Sequence, residues 1–535
     1  MSECDVIIVG GGSAGATMAA RLSEDATREV LLLEVGPDYR SASTPPALRS
    51  RDDTGLLIDG FPPPDEILAR HLFPFLTARR TSAQVPTPLL RGRGLGGSSA
   101  VNGMFAIRPT VEDLDGWCAA GARGWSFSET LPLLIRLESD QDFGSADYHG
   151  TSGPIPVVRP AGNDLLPIDD AFLEAALAMG HVWAPDHNAP KTYGISPYAY
   201  NAPGGTRVST NDGYLEPARG RANLRILGDT RVDQVLFEGT RAVGVRAVRA
   251  GEAAEFRADE VILAAGAVHS PAILLRSGVG PAADLRDLDI DVVADLPVGS
   301  GLQDHPLMLM RLSLIDGAQP QAPGTRAARY CIRYGLGATT EPTDAMLTLM
   351  SVASAPNLGM LYGWLNNVAS TGCIRLASAD PAMDPVVESN LLSNPEDMRR
   401  MLRMIDDMKA LVGEPSFSRY TTSADLAPMD TTYAFNVAEE EAGLDIFDRS
   451  VTATEMKNFV LANVFDAAHI SGTCRMGSAD DPRVVVDDHG RVLGLENLRV
   501  ADASIFPWVP SANTNFSAIL VGEKIAHVIR TEEKK

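Results

Sequence analysis

Gly10, Gly12 and Gly15 stand in a GxGxxG pattern, directly after the apolar run DVIIVG and directly before a helical pattern over Ala16–Leu22. That placement gives each glycine a task. The first permits a tight turn, the second lets backbone approach a pyrophosphate, and the third lets helix and strand pack closely. The helix N-terminus behind the turn, at Ser13 and Ala14, offers free N–H groups and partial positive charge to phosphate. Glu34 follows in the next apolar run, VLLLEVG. Its carboxylate can accept hydrogen bonds from ribose hydroxyls and would repel a 2′-phosphate, which disfavours NADP. The pattern by itself does not separate NAD from FAD.

The elements that must position these residues form one strand–turn–helix–strand unit, with the all-apolar strands expected of a buried parallel sheet. Residues 37–90 read as irregular, rich in Pro and Arg and including FPPPDE; a stretch this long suits a lid or cofactor cover. RGRGLGGSSAVNGM is then dense in glycine, so backbone can come close to something flat or charged. ILGDTRVDQVLFEGTRAVGVRAV reads as a β-meander, and DEVILAAGAVHSPAILLRSGVG as strand, glycine turn and helix. From about 315 to 455 the strands MLTLMSVAS and LGMLYGWL alternate with a helix around PEDMRRMLRMIDDMKALV. Beyond 455 the chain returns to glycine turns and a closing helix over Asn515–Ile529. The predicted fold is α/β: a Rossmann-like domain over 1–160, 215–315 and 455–535, interleaved with an α+β substrate domain on an antiparallel sheet over 161–214 and 316–454.

At 535 residues the chain has room for two to four domains of about 150 residues each. Hydrophobic residues at 45% and charged residues at 21% exclude collagen, a disordered chain and a disulfide scaffold. A formal charge of −23 leaves no basic surplus for nucleic acid or an anionic membrane surface. Cys4, Cys118, Cys331, Cys373 and Cys474 stand far apart without a CxxC, so no metal site is expected and a reducing, cytoplasmic setting is. No signal peptide, membrane span, retention address or internal repeat is evident.

Through RGRGLGGSSAVNGM, GAVHSPAILLRSGVG and HISGTCRMG…SANTNF, with VGSGLQDHP between, the chain resembles the glucose–methanol–choline oxidoreductases, FAD-dependent alcohol oxidases and dehydrogenases. The motifs fall in family order from residue 4 to about 530. Among members the likeness is greatest to bacterial aryl- and furanic-alcohol oxidases and their pyridoxine- and choline-oxidising relatives.

The resemblance implies roles for particular residues. FAD would lie on Gly10, Gly12, Ser13, Ala14, Gly15 and Glu34. Arg91, Gly94, Gly97, Ser98, Asn102 and Gly103 would wrap the flavin and its diphosphate. Backbone at Val232 would hold the adenine, and Ala265, Asp502, Ala503, Asn513 and Thr514 would complete the site. GGSSAVN carries no His or Cys, so the FAD is expected to be non-covalent. His469 would be the base, since an imidazole with an ordinary pKa of about 6.5 suits proton removal from an alcohol. Asn513 would orient the alcohol oxygen and cannot itself be the base. The closing helix would point its N-terminus at the flavin pyrimidine. His305 reads as structural in its loop and His269 as packing or helix entry; His149, His181, His187 and His489 have no motif support.

Met104, Trp364, Phe465, Ala467 and Ala468 are the expected substrate contacts, with Trp508 a further candidate. Furanic-alcohol relatives carry bulkier groups where Ala467 and Ala468 stand, which implies a roomier pocket here. The expected substrate is a neutral aromatic or medium-sized primary alcohol, with molecular oxygen as acceptor. A quinone or protein acceptor, and a hydroxynitrile lyase on the same scaffold, are the rival readings.

Overall fold

The computed structural model describes residues 4–49, 65–160, 166–318, 326–337, 342–352, 357–428 and 443–532. Phe61–Pro64 of FPPPDE lie outside the described residues. The apolar strands Cys4–Val9 and Val30–Leu33 flank the helix Ser13–Leu22 and pair in parallel, burying both faces. They sit in a seven-stranded sheet ordered Leu224–Leu227, Val30–Leu33, Cys4–Val9, Glu252–Leu263, Arg241–Arg249 and Thr230–Glu238, with Leu498–Val500 also on Glu252–Leu263. Glu252–Leu263 has two characters: its second half pairs in parallel with the first strand, and its first half runs antiparallel into the meander.

The closing helix Thr514–Glu532 packs on the first helix. Small residues make this possible, since a Cβ on Gly522 would stand 2.6 Å from the Ala14 carbonyl oxygen. Arg21 and Glu523 bridge the pair at 2.8 Å.

A second, nine-stranded sheet is antiparallel along its central path: Leu444–Asp445, Thr421–Leu426, Pro306–Leu314, Leu358–Leu365, Ala345–Val352, Tyr330–Tyr334 and Gly194–Pro197. The short strands Arg326–Ala327 and Phe465–Asp466 pair beside this path. Alternation decides its two faces. Met308, Met310, Leu312, Leu347, Leu349 and Leu361 join the core beneath the helices Pro395–Gly413 and Pro167–Ala178. Leu307, Leu309, Met346, Met350, Tyr362 and Trp364 belong to the opposite cluster. Strand Pro306–Leu314 and the two-residue strand Phe465–Asp466, which the sequence-based division gives to the cofactor segments, hydrogen-bond into this sheet. Gly372–Arg375 and Val386–Glu388 pair instead with Ser300–Leu302 and Thr77–Arg79 in a five-stranded sheet. No helix among the described residues is long and apolar enough to cross a membrane.

Gly15 fixes how closely the first helix meets its strand: a Cβ there would stand 1.9 Å from the Gly10 carbonyl oxygen. Gly15→Ala is expected to cost about 1–3 kcal/mol through overpacking, read as a lower thermal unfolding midpoint. An unchanged midpoint would show that the contact yields freely.

Candidate active site

One cavity of about 520 Å³ runs between the two sheets. At one end it is lined by Gly10, Gly12, Ser13, Ala14 and Glu34, and by Gly97 and Ser98 facing them. Backbone crowds here: a Cβ on Gly97 would lie 2.7 Å from Gly12 Cα. Bare main chain therefore forms the wall, as an approaching diphosphate requires. Glu34 ties three loops at once, with Oε2 accepting from Gly11 N at 2.7 Å and Oε1 from Gly36 N and Gly94 N, both at 2.9 Å. Val232 lines the cavity as well, as do Arg91, Asn102, Gly103, Ala265, Asp502, Ala503, Asn513 and Thr514. The glycine cradle and the helix N-terminus at Ser13 fit an FAD, which the residues of this lining would hold.

His469 is placed by a bulge. Residues 303–307 and 465–471 run antiparallel: Leu307 faces Phe465, Ala467 N donates to His305 O, and Gln303 and Ser471 exchange both backbone bonds. Between the last two pairings, Asp304 alone faces three residues, Ala468 to Ile470. Ala468 absorbs the mismatch with φ of 63°, a left-handed conformation that is strained for alanine. Its backbone is held on both sides. Arg91 Nη1 donates to Ala468 O at 2.6 Å, and Ala468 N donates to Asp466 Oδ1 at 3.0 Å. Asp466 is itself gripped by the Arg80 guanidinium. Asp304 Oδ1 accepts from both His305 N (2.8 Å) and His469 N (2.9 Å).

The bulge turns the His469 ring onto two partners. Nδ1 lies 2.9 Å from His305 Nδ1, and Nε2 lies 3.3 Å from Asn513 Nδ2. Burial, reinforced by the His305 ring and the Arg91 cation, holds the His469 pKa well below its ordinary value. The imidazole is thus neutral and able to accept a proton. Burial also lowers His305, to about 3, against the favourable carbonyls of Pro510 and Asn366. Asp304 shifts upward through burial and the neighbouring Asp466 charge.

The sheet supplies the remaining wall. Leu307, Thr348, Met350, Tyr362 and Trp364 line the cavity beside Val101, Phe105, Ala467 and Ala468. Leu307 and Met346 stand directly across from Trp364 on its neighbouring strands, so the indole sits in a fixed ladder. Among the described residues, the strands of this sheet contribute no charged side chain to the wall.

Several expected residues stand elsewhere. Met104 does not line the cavity; it is fully buried in the adjoining core, with φ of 63° and its N–H on Asn102 Oδ1. Phe465 does not line it either: it is buried under the Arg80 guanidinium, 3.8 Å from the ring centre. Trp508 packs over Gly116. Gly15 and Gly94 are outside the lining and act through helix packing and Glu34. Asp502 faces the cavity while capping two turns, through Gly266 N at 2.8 Å and Ser504 N at 2.8 Å. His269 lines the cavity stacked on Phe73, with centroids 4.1 Å apart. Sequence reasoning did not single out Asp304, Asp466 or Arg80, or the liners Phe105, Leu307, Thr348, Met350 and Tyr362. LQDHP carried the available signal for Asp304 and His305.

Away from the cavity, Glu138, Asp140 and His149 come together. Both imidazole nitrogens are engaged, by Glu138 at 2.5 Å and Asp186 at 2.8 Å, and Arg108 and Arg159 balance the carboxylates. This is a buried ion-pair knot.

Comparison with known proteins agrees with the geometry. Models of the GMC oxidoreductase family match residues 4–307 and 368–522. The chain is 36% identical to a 5-(hydroxymethyl)furfural oxidase of Methylovorus sp. (strain MP688), covering 99% of each. It is 36% identical to an oxygen-dependent choline dehydrogenase of Ectopseudomonas mendocina (strain ymp), covering 99% of this chain and 94% of that one. The crystal structure of pyridoxine 4-oxidase from Mesorbium loti superposes with a TM-score of 0.85 at 27% identity, covering 99% of each chain. With both halves of the family pattern present and the cradle and imidazole facing one cavity, the chain belongs to the GMC oxidoreductases, FAD-dependent enzymes acting on CH–OH donors.

Proposed function

We propose that this enzyme oxidises an uncharged primary alcohol, aromatic or of medium size, to the aldehyde, with molecular oxygen as the acceptor. One observation carries the reading: His469 and Asn513 open onto the same cavity as the glycine cradle. The bound FAD supplies the hydride acceptor. His469 Nε2 takes the hydroxyl proton, and the Asn513 amide donates to the alcohol oxygen as negative charge develops on it. Asn513 Oδ1 has no hydrogen-bond partner among the described residues, so the amide is not tied down on that side. A base so placed contributes about 10²–10⁴-fold.

The apolar sheet wall supports a neutral substrate, as does the likeness to a 5-(hydroxymethyl)furfural oxidase. Carboxylates and cations on the lining belong largely to the cofactor end, where Glu34 and Asp502 hold backbone amides. Ala467 and Ala468 leave room beside the base. Among the described residues, the lining histidines are His269 and His469 and no cysteine lines the cavity, which supports dissociable FAD. Five free cysteines suit a reducing cytoplasm. The cofactor portion is assigned to the segments around the seven-stranded sheet, and the substrate portion to the nine-stranded sheet.

Anaerobic mixing with a panel of alcohols is expected to bleach the flavin, and air to restore it with hydrogen peroxide released. Bleaching without reoxidation by air would point to a quinone or protein acceptor, and no bleaching to non-redox chemistry. His469→Ala should stay yellow yet lose flavin reduction by about 10²-fold or more; near-normal reduction would remove His469 as the base. Because the His469 pKa is depressed, the base stays unprotonated as pH falls, and the rate of reduction should hold steady through pH of about 6.5 and decline only below it. A decline centred there would indicate an ordinary, solvated imidazole. Trp364→Ala should reorder preference across the panel, and identical kinetics throughout would take Trp364 out of the substrate wall.

A further inference from the structure

The catalytic imidazole must present a lone pair, and not an N–H, to the alcohol. Which nitrogen of a neutral histidine carries the proton is set by the hydrogen bond made by the other. At His469 that other bond goes to a second imidazole. The two rings stand 79° apart with centroids at 4.9 Å, and their Nδ1 atoms meet at 2.9 Å. Only one of the two can bring a hydrogen to this contact.

The surroundings of His305 choose between them. If His305 donated at Nδ1, its Nε2 would be a lone pair, and His469 would be driven to carry its proton on Nε2, pointed at the Asn513 amide. The carbonyls of Pro510 and Asn366 face the His305 ring, although neither meets Nε2 in full hydrogen-bond geometry. Carbonyls accept only, so they favour a proton on His305 Nε2. That leaves His305 Nδ1 as the acceptor. On the far side, the Asn513 Nδ2 group donates to His469 Nε2, which must then be bare. Both ends of the chain agree on one direction: Asn513 Nδ2–H to His469 Nε2, His469 Nδ1–H to His305 Nδ1, and His305 Nε2–H towards backbone carbonyls. Backbone fixes the rings relative to each other, since both N–H groups sit on one oxygen of Asp304.

We propose that His305 is a positioning residue that keeps His469 as its Nδ1–H tautomer, so that Nε2 is bare and its lone pair can pass from the Asn513 amide to the alcohol hydroxyl. This rests on the reading of His469 as the base. When Nε2 takes the alcohol proton, no proton need leave Nδ1, and the His305 lone pair stays opposite the resulting cation. The charged groups around the pair are Arg91, whose guanidinium approaches Asp304 at 3.8 Å, and the Arg80–Asp466 ion pair on the bulge. These bear on the charge of His469, whereas the contact with His305 selects its tautomer.

The test is a long-range ¹H–¹⁵N correlation spectrum of the holoenzyme labelled with [¹⁵N]histidine, with the His469 pattern identified by its loss in His469→Ala. The expected wild-type pattern is a protonated Nδ1 and a bare Nε2; a protonated Nε2 overturns the proposal. His305→Leu removes the acceptor. It should show Nε2 protonated in part, against the hold of the Asn513 amide, and reduce flavin about tenfold or more slowly at unchanged FAD content, a partial loss of the about 10²–10⁴-fold a base contributes. His305→Asn keeps an acceptor oxygen near the Nδ1 position and should regain the Nδ1–H pattern and most of the rate. A leucine variant with the wild-type pattern and rate would dismiss His305 from this role. Should that variant not fold, the wild-type and asparagine spectra decide. The tautomer is read without turnover, so its failure is separate from that of the base assignment, which His469→Ala tests.

Discussion

A pair of arginines holds the turn that presents His469 to the cavity. Ala468 sits in a conformation that costs a non-glycine residue about 1–3 kcal/mol. It persists because Arg91 binds its carbonyl, Asp466 binds its N–H, and Arg80 binds Asp466. Charge-assisted bonds of this kind are the stronger ones, and burial removes the water that would compete with them. The strain is useful. It makes three residues fit opposite one and turns His469 out of the strand direction towards Asn513.

The same cations shape the electrostatics. Arg91 lies close enough to depress His469 and to oppose the upward shift of Asp304. The depressed pKa keeps the His469 imidazole unprotonated as pH falls, at the cost of a weaker intrinsic pull on a proton. The cavity thus combines one end made of main chain with an imidazole whose pKa its surroundings depress, and the apolar sheet adds shape without charge.

Much of this was legible in the sequence because it is local. The glycine turn, its flanking strand and helix, and Glu34 follow one another in a single short stretch, and the steric reasons for each residue act over that distance. The sheet wall was harder to read. MLTLMSV and LGMLYGWL are apolar on both faces, so alternation says that residues part to opposite sides but not which side meets the cavity. Trp364 could not be distinguished from a core residue on that basis. Phe465 was misleading because its cover, Arg80, comes from a segment far earlier in the chain. Met104 follows Asn102 and Gly103 in the flavin wrap, yet its left-handed backbone takes the side chain into the core. The pairing of His305 with His469 was invisible for the same reason as the bulge: it depends on the register of two distant strands.

Ser13, at the start of the first helix, donates to the side chain of Asn515 at 2.9 Å, and the two helices that carry them lie against each other. The opening segment and the closing one therefore build a single wall of the nucleotide cradle. During synthesis, the first strand and its glycine turn leave the ribosome long before their partner exists. Until that partner is made, the first helix lacks the surface it packs on. A chain cut before residue 514 would lack that wall of the cavity, which Ser13, Thr514 and Asn515 line together.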